Sequence, residues 1–309
     1  ARVIKMLPST LQLHQDLDVK SGTLTFNVNS QKDNRNRRLV FNLDTANLNA
    51  ARGSQSIVWA KPLRLVGTIA DSQGKISIED VRCESEFLEI KGQGDLTQAN
   101  FQAKGDLQKL AQRISQFVDL QGTEIAGLVE GKFGWQIMGN SDSSAANLAG
   151  SFHQKPIQIR GDFVLNQPLI AMPGIPRWQP QEVIVSLSGV GLTKNRPDQS
   201  TALQLDQGRI QLDIGTERAV ATLAQPVDDA FTAETWVADC QAIGELGQWL
   251  AHAKNFVDFG DLNAAGKMNL RSHVTIDSKQ VAFKQTDYLV NQFRMIGYGI
   301  KLNESAVKG

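Results

Sequence analysis

Apolar and polar residues take turns along most of this chain. Between Ser21 and Ser30, Leu24, Phe26 and Val28 alternate with Thr25 and Asn27, and after a polar turn Leu39, Phe41 and Leu43 resume the period. A period of two sends successive side chains to opposite faces of a strand, so this stretch predicts a hairpin with one wet face. Leu63 with Leu65, Ile76 with Ile78 after the turn at 72–74, and Leu88 with Ile90 continue the series. Phe133, Trp135 and Ile137 carry it past a polar turn at Gly139–Ser144 to Ile157 with Ile159. Val183, Val185 and Leu187, then Ile210 with Leu212, Met268 with Leu270 and Val274 with Ile276 extend it toward the C-terminus. Residues 1–20, with Pro8 and the looser series Leu7, Leu11, Leu13 and Leu17, read as irregular.

Two stretches follow another rule. Leu107, Leu110, Ala111, Ile114, Phe117 and Val118 fall at helical spacing, and so do Leu246, Trp249, Leu250, Ala253, Phe256 and Val257. Each predicts an amphipathic helix of about four turns, one near 105–120 and one near 244–259. Aligned without a gap, the two share Gly105/Gly244, Leu107/Leu246, Phe117/Phe256, Val118/Val257 and Asp119/Asp258. After each comes a similar tripeptide, Gly131-Lys132-Phe133 and Gly266-Lys267-Met268, read as the opening of the next strand. The expectation is an internal repeat. Residues 167–180 hold four of the nine prolines and read as irregular. They divide a first module, 1–166, from a second, 181–309.

The fold class expected is mainly β with a few short α-helices. A dozen or more strands present many one-sided apolar faces, each of which must be covered. Two helices of roughly 20–25 Å cover only part of that area. Either two sheets pack as a sandwich, or one long curved antiparallel sheet shields its own apolar face and forms a hydrophobic groove. Periodicity alone leaves both open.

Charge and composition narrow the function. Lys+Arg and Asp+Glu each number 32 in 309 residues, a balance that argues against an electrostatic nucleic-acid binder. The basic turn with Lys32, Arg35, Arg37 and Arg38 reads as a solvated loop, with anionic lipid headgroups or a partner protein as the sharper alternative. No apolar run is long enough to span a bilayer as a helix. A chain that starts at Ala1 and soon enters patterned sequence reads as part of something longer. Cys83 and Cys240 form no metal-ligand spacing, and no metal or cofactor is expected. His14, His153, His252 and His273 are scattered, with His252 on the polar side of its helix. Glu84, Glu86 and Glu89 lie close in sequence, but an acidic strand face is the plainer reading than paired catalytic carboxylates. No conventional enzyme motif is present, and no enzymatic activity is expected.

The order of elements resembles the AsmA-like family of Gram-negative envelope proteins. A strand pair ends in a glycine-rich step, Lys91-Gly92-Gln93-Gly94-Asp95-Leu96. Gly105-Asp106-Leu107 then leads a short helix, and Gly131-Lys132-Phe133 follows. Gly244-Glu245-Leu246 and Gly266-Lys267-Met268 repeat the scheme, and Ser21-Gly22-Thr23-Leu24 looks like another copy of the strand opening. The resemblance implies a periplasmic β-groove that carries lipid acyl chains between membranes or serves outer-membrane assembly. It further implies inner-membrane anchoring through parts of a longer parent chain, with phospholipid or another acyl-chain lipid as ligand and envelope proteins as partners. The groove-lining candidates are Leu24, Phe26, Val28, Phe133, Trp135, Val183, Val185, Met268 and Leu270. The plain reading of each is an ordinary core side chain. The alternative function is a structural or adhesive β-sandwich or solenoid that binds protein or glycan on its outer face, with Trp178 as the aromatic that could serve.

Overall fold

The computed structural model describes residues 16–33, 36–60, 62–72, 75–95, 97–138, 156–174, 176–195, 201–230, 232–277 and 280–309. Leu7, Pro8, Leu11, Leu13, the polar turn at Gly139–Ser144, the centre of the turn at 72–74, Arg35 and Leu96 lie outside the described residues. The chain is mainly β. Sixteen strands run β1 (Leu17–Asp33), β2 (Asn36–Arg52), β3 (Gln55–Trp59), β4 (Arg64–Ser72), β5 (Lys75–Glu84), β6 (Leu88–Asp95), β7 (Gln98–Asp106) and β8 (Glu124–Ile137). They continue as β9 (Ile157–Ala171), β10 (Glu182–Asn195), β11 (Thr201–Ile214), β12 (Glu217–Leu223), β13 (Thr235–Glu245), β14 (Asn263–Asp277), β15 (Val281–Gly297) and β16 (Ile300–Lys308). Two helices interrupt them among the described residues, α1 (Leu107–Ile114) and α2 (Leu246–Ala253).

The strands join in one antiparallel sheet in sequence order, with β3 set aside as a short second partner of β2. The sheet stays open, with β1 and β16 as its ends rather than as neighbours closing a barrel. Two compact units divide the chain, one of residues 1–134 with 165–173 and the other of 135–164 with 174–309.

Both helices are eight residues long, about 12 Å at the usual rise. The expected four turns shrink to a little over two. After Ile114 the backbone tightens, with the Gln116 and Phe117 amides donating three residues back to Arg113 and Ile114. After Ala253 the Asn255 and Phe256 amides do the same to His252 and Ala253. Phe117 and Phe256 therefore keep helix-like spacing while sitting in a turn, which is why periodicity overshot.

The repeat is closer than the tripeptide matching suggested. Positions 107, 114, 124 and 127 correspond to 246, 253, 263 and 266, a constant offset of 139 residues that aligns both helix ends and the start of the following strand. The true partner of Gly266 is Gly127, not Gly131. Both have backbones in the positive-φ range that favours glycine, +120° at Gly127 and +132° at Gly266. Each lies against the backbone of the next strand, where a glutamine has left-handed φ, Gln167 at +48° and Gln292 at +53°. These are bulges, which bend a strand and sharpen its twist. Gly131 and Gly266 lie inside β8 and β14 rather than opening them, and Gly22 lies inside β1 at a register shift. The proline-rich segment is partly regular as well. Gln167–Ala171 completes β9, because Pro168 sits at the bulge, where a missing N–H is tolerated.

Candidate functional site: the apolar faces of the two units

Residues directly opposite in an antiparallel pair share a face, so the registers trace each face strand by strand. In the first unit one row runs Phe26, Leu43, Leu65, Cys83, Ile90, Ala103. The neighbouring row runs Val28, Phe41, Gly67, Val81, Gly92, Phe101, and Phe101 stacks on Phe133 at 4.9 Å. Large and small residues alternate along this second row for a reason. A Cβ on Gly67 would sit 2.3 Å from the Phe41 ring, and one on Gly92 would sit 2.1 Å from Phe101. The two glycines give the rings room to lie flat on the sheet.

The other face of the same strands is charged. Thr25, Asp44, Arg64, Glu84, Glu89 and Lys104 form one row, which ends in a Lys104–Glu130 ion pair of 3.2 Å. Glu84 and Glu89 are opposite one another there, and a hydrogen bond from Lys91 holds the Glu89 carboxyl below its ordinary range. Glu86 lies past the end of β5 and takes both nitrogens of an Arg113 fork, one of them at 2.9 Å. The three glutamates thus serve a wet face and a helix brace. Of the residues read as a basic turn, Lys32 lies in β1 and Arg37 and Arg38 lie in β2, where Arg38 pairs with Glu79 at 2.7 Å.

The second unit has the same division. Val185, Leu212, Ala219, Ala242, Leu270 and Tyr288 form one apolar row, and Gly244, Met268, Val290 and Val307 form another. On the polar side, Asp239 faces His273, their side chains 2.9 Å apart. Cys83 is a free thiol in the Phe26 row of the first unit, and Cys240 is a free thiol opposite Ala221 and Ser272 in the second. Burial, aided by the neighbouring Glu84 and Asp239 respectively, pushes both thiols up, away from the reactive thiolate.

The predicted lining residues occupy these faces unequally. Leu24, Phe26 and Val28 are the most open, at 62%, 61% and 46% exposed. Phe133, Trp135, Val185, Met268 and Leu270 are half-buried. Val183, at 3%, is packed core. Val185 and Leu270 share a row, as do Phe26 and Leu43, and Phe133 is tied to its unit's face through Phe101. Trp178 is half-buried in the second unit, where its indole N–H donates to His252 Nδ1 at 3.3 Å and its ring lies 6.1 Å from Phe256. That contact also takes His252 out of the solvated role expected of it.

The buried core consists of small and medium side chains such as Ala50, Ile57, Ala99, Val274 and Val290, and no large side chain is fully buried among the described residues. A sandwich with a packed interior would bury its phenylalanines. Here Phe26 and Phe283 are more than half exposed.

The second unit also contains a concavity that the sequence reading missed. It has a volume of about 420 Å³, and of its fifteen lining residues only Ser188, Arg209 and Trp236, through its indole N–H, carry a polar side-chain atom. Leu187, Leu203, Leu205, Ile210, Trp236 and Ile276 form its sides, and Gly189, Gly208, Ala221 and Ala238 also line it. Directly opposed glycines in adjacent strands were the available signal, but the pairing of Gly189 with Gly208 appears only once the register is known. A more polar hollow of about 760 Å³ lies in the first unit, bordered by Asp44, Trp59, Arg64, Glu86 and Arg113. Among the described residues no three His, Cys, Asp or Glu side chains gather as a metal site, and no helix is long and apolar enough to cross a membrane.

Comparison of this chain with protein-family models, with characterised proteins and with solved structures finds no match in any of the three.

Proposed function

We propose that this chain is a non-enzymatic lipid-binding segment that holds acyl chains against the apolar faces of its sheet. The observation that carries the reading is an apolar face left uncovered. Leu24, Phe26 and Val28 project from one side of β1 at 46–62% exposure, beside the half-buried Leu39, Phe41 and Leu43. Contiguous exposed apolar surface of this kind marks an interaction site. The absence of any fully buried large side chain among the described residues supports the same reading, because the large apolar side chains of these rows keep part of their surface open.

An acyl chain suits such a surface. It has no hydrogen-bonding groups to satisfy and gains roughly 0.8 kcal/mol per methylene removed from water. The resemblance of the order of elements to the AsmA-like family supports a role in lipid transfer between membranes, or in outer-membrane assembly, in the periplasm of a Gram-negative cell. The same resemblance implies anchoring in the inner membrane through parts of a longer parent chain.

The test is native mass spectrometry with organic extraction, on protein purified without detergent from a Gram-negative host. Phospholipid or fatty acid should co-purify. Phe26→Asp and Val185→Asp should each reduce the bound lipid while the circular dichroism spectrum stays unchanged. An apo mass from well-folded protein would sink the proposal and favour a scaffold that binds protein or glycan.

A further inference from the structure

Resting on that reading, we infer that the concavity of the second unit is a discrete seat for a single acyl chain, and that the Gly189–Gly208 pair sets its depth. The sequence-derived candidates Val183, Val185, Met268 and Leu270 are not among its lining residues. Three features carry the inference.

The lining chemistry comes first. Twelve of the fifteen lining residues have no polar side-chain atom, the exceptions being Ser188, Arg209 and the indole N–H of Trp236, and the volume falls within the 300–1,000 Å³ of ordinary ligand pockets. Such pockets usually place a few polar groups to orient a polar ligand. Here the lining offers a hydrogen-bonding ligand little, whereas an alkyl chain asks for nothing more.

The second feature is how the depth arises. Gly189 and Gly208 are directly opposite on β10 and β11, and the neighbouring pair on the same face is Leu187 with Ile210. The face therefore drops from two large side chains to none within one strand repeat. Ala221, opposite Ile210, and Ala238 keep the adjacent strands low as well. Leu205 leans over the pair, its methyls 3.0 and 3.2 Å from where Cβ atoms of Gly189 and Gly208 would stand. The register shift after Val190 brings Leu205 to that position.

The third feature is enclosure. The segment after β12 folds back along β11, with Leu205 and Val227 exchanging backbone hydrogen bonds at 2.8 and 2.9 Å and the Ala230 amide donating to Leu203 at 2.8 Å. This holds Ala230 beside Leu203 and Leu205 at the wall. Ile210 and Ile276 remain 57% and 40% exposed, leaving apolar area for a ligand to cover.

Trp236 lines the concavity and serves as its reporter. The full chain is titrated with a brominated stearate, whose bromines quench a tryptophan only at contact range. Binding at this seat predicts quenching that is largely lost in Trp236→Phe. Gly208→Leu, which fills the seat, should weaken that quenching by about tenfold, equivalent to excluding roughly two methylenes. Leu205→Ala, which lowers the wall, should preserve it. If Gly208→Leu fails to fold by circular dichroism, the Trp236→Phe comparison decides alone. Quenching that persists in Trp236→Phe, or lipid that co-purifies without quenching Trp236, would overturn this seat and leave the general lipid reading standing. No quenching together with a lipid-free extract would remove both.

Discussion

α1 and α2 are the same element fastened in two ways. They share length, entry from a strand and, at the constant offset, the bulged glycine in the strand that follows. Yet α1 is held by charge and a cap. The Asp106 carboxylate accepts the Lys109 amide at 3.0 Å, and Arg113 forks onto Glu86 while lying over the Trp59 ring, itself packed near Phe87 and Phe117. α2 has Glu245 at the capping position with no side-chain cap. Two indoles hold it instead. Trp249 donates to the Ile243 carbonyl at 3.1 Å, and Trp178 reaches in from the proline-rich segment to His252 and Phe256. The two joints share their geometry and differ in their chemistry, which locates the common demand in the backbone path. A short helix must leave one strand and deliver the chain to the next, and any sufficient set of contacts will hold it there.

The sharpest way to break this comparison is to remove the aromatic centre of the first joint. Trp59→Ala should cost about 3 kcal/mol, the scale of a large aromatic truncation. Amide exchange should accelerate across Leu107–Ile114 while Leu246–Ala253 keeps its protection. The second joint should respond to its own indole. Trp178→Ala should cost about 2 kcal/mol, from a half-buried ring and one hydrogen bond, with exchange accelerating in α2 alone. If either substitution loosens both helices equally, the joints are not independent and the comparison fails.

Much of this was legible beforehand, and the reasons are specific. Leu24, Phe26 and Val28 announced a strand because a period of two has no helical counterpart, and the structure places them on one face of β1. Helical spacing locates both helices and overstates their length, since Phe117 and Phe256 continue the spacing after the hydrogen bonding has changed. By the Gly-Lys string, Gly266 pairs with Gly131. Its true counterpart, Gly127, is defined by backbone φ and by a partner strand, neither of which a local string contains. The second-unit concavity was hidden for the same reason. Gly189, Gly208, Leu205 and Trp236 come from three strands and meet only through a register that includes a bulge.

The smallest effect isolates the cap, the feature α1 has and α2 lacks. Asp106→Ala should cost about 1 kcal/mol, the usual value of an N-cap side chain, and Asp106→Asn should cost less, because asparagine caps without titrating. The Lys109 amide, with further help from the Lys109 side chain, holds the Asp106 carboxyl below its ordinary value. A depressed carboxyl pKa stabilises the fold above the unfolded value and loses that contribution as pH falls through the folded one. The stability gap between wild type and Asp106→Ala should therefore be full above about pH 4 and close on further acidification. The gap between Asp106→Asn and Asp106→Ala should persist. Urea midpoints measured for the three proteins across acidic pH separate these curves. A wild-type gap that stays constant down to the lowest pH would mean that Asp106 holds the helix by shape rather than by charge, and the contrast with the uncapped Glu245 would lose its electrostatic basis.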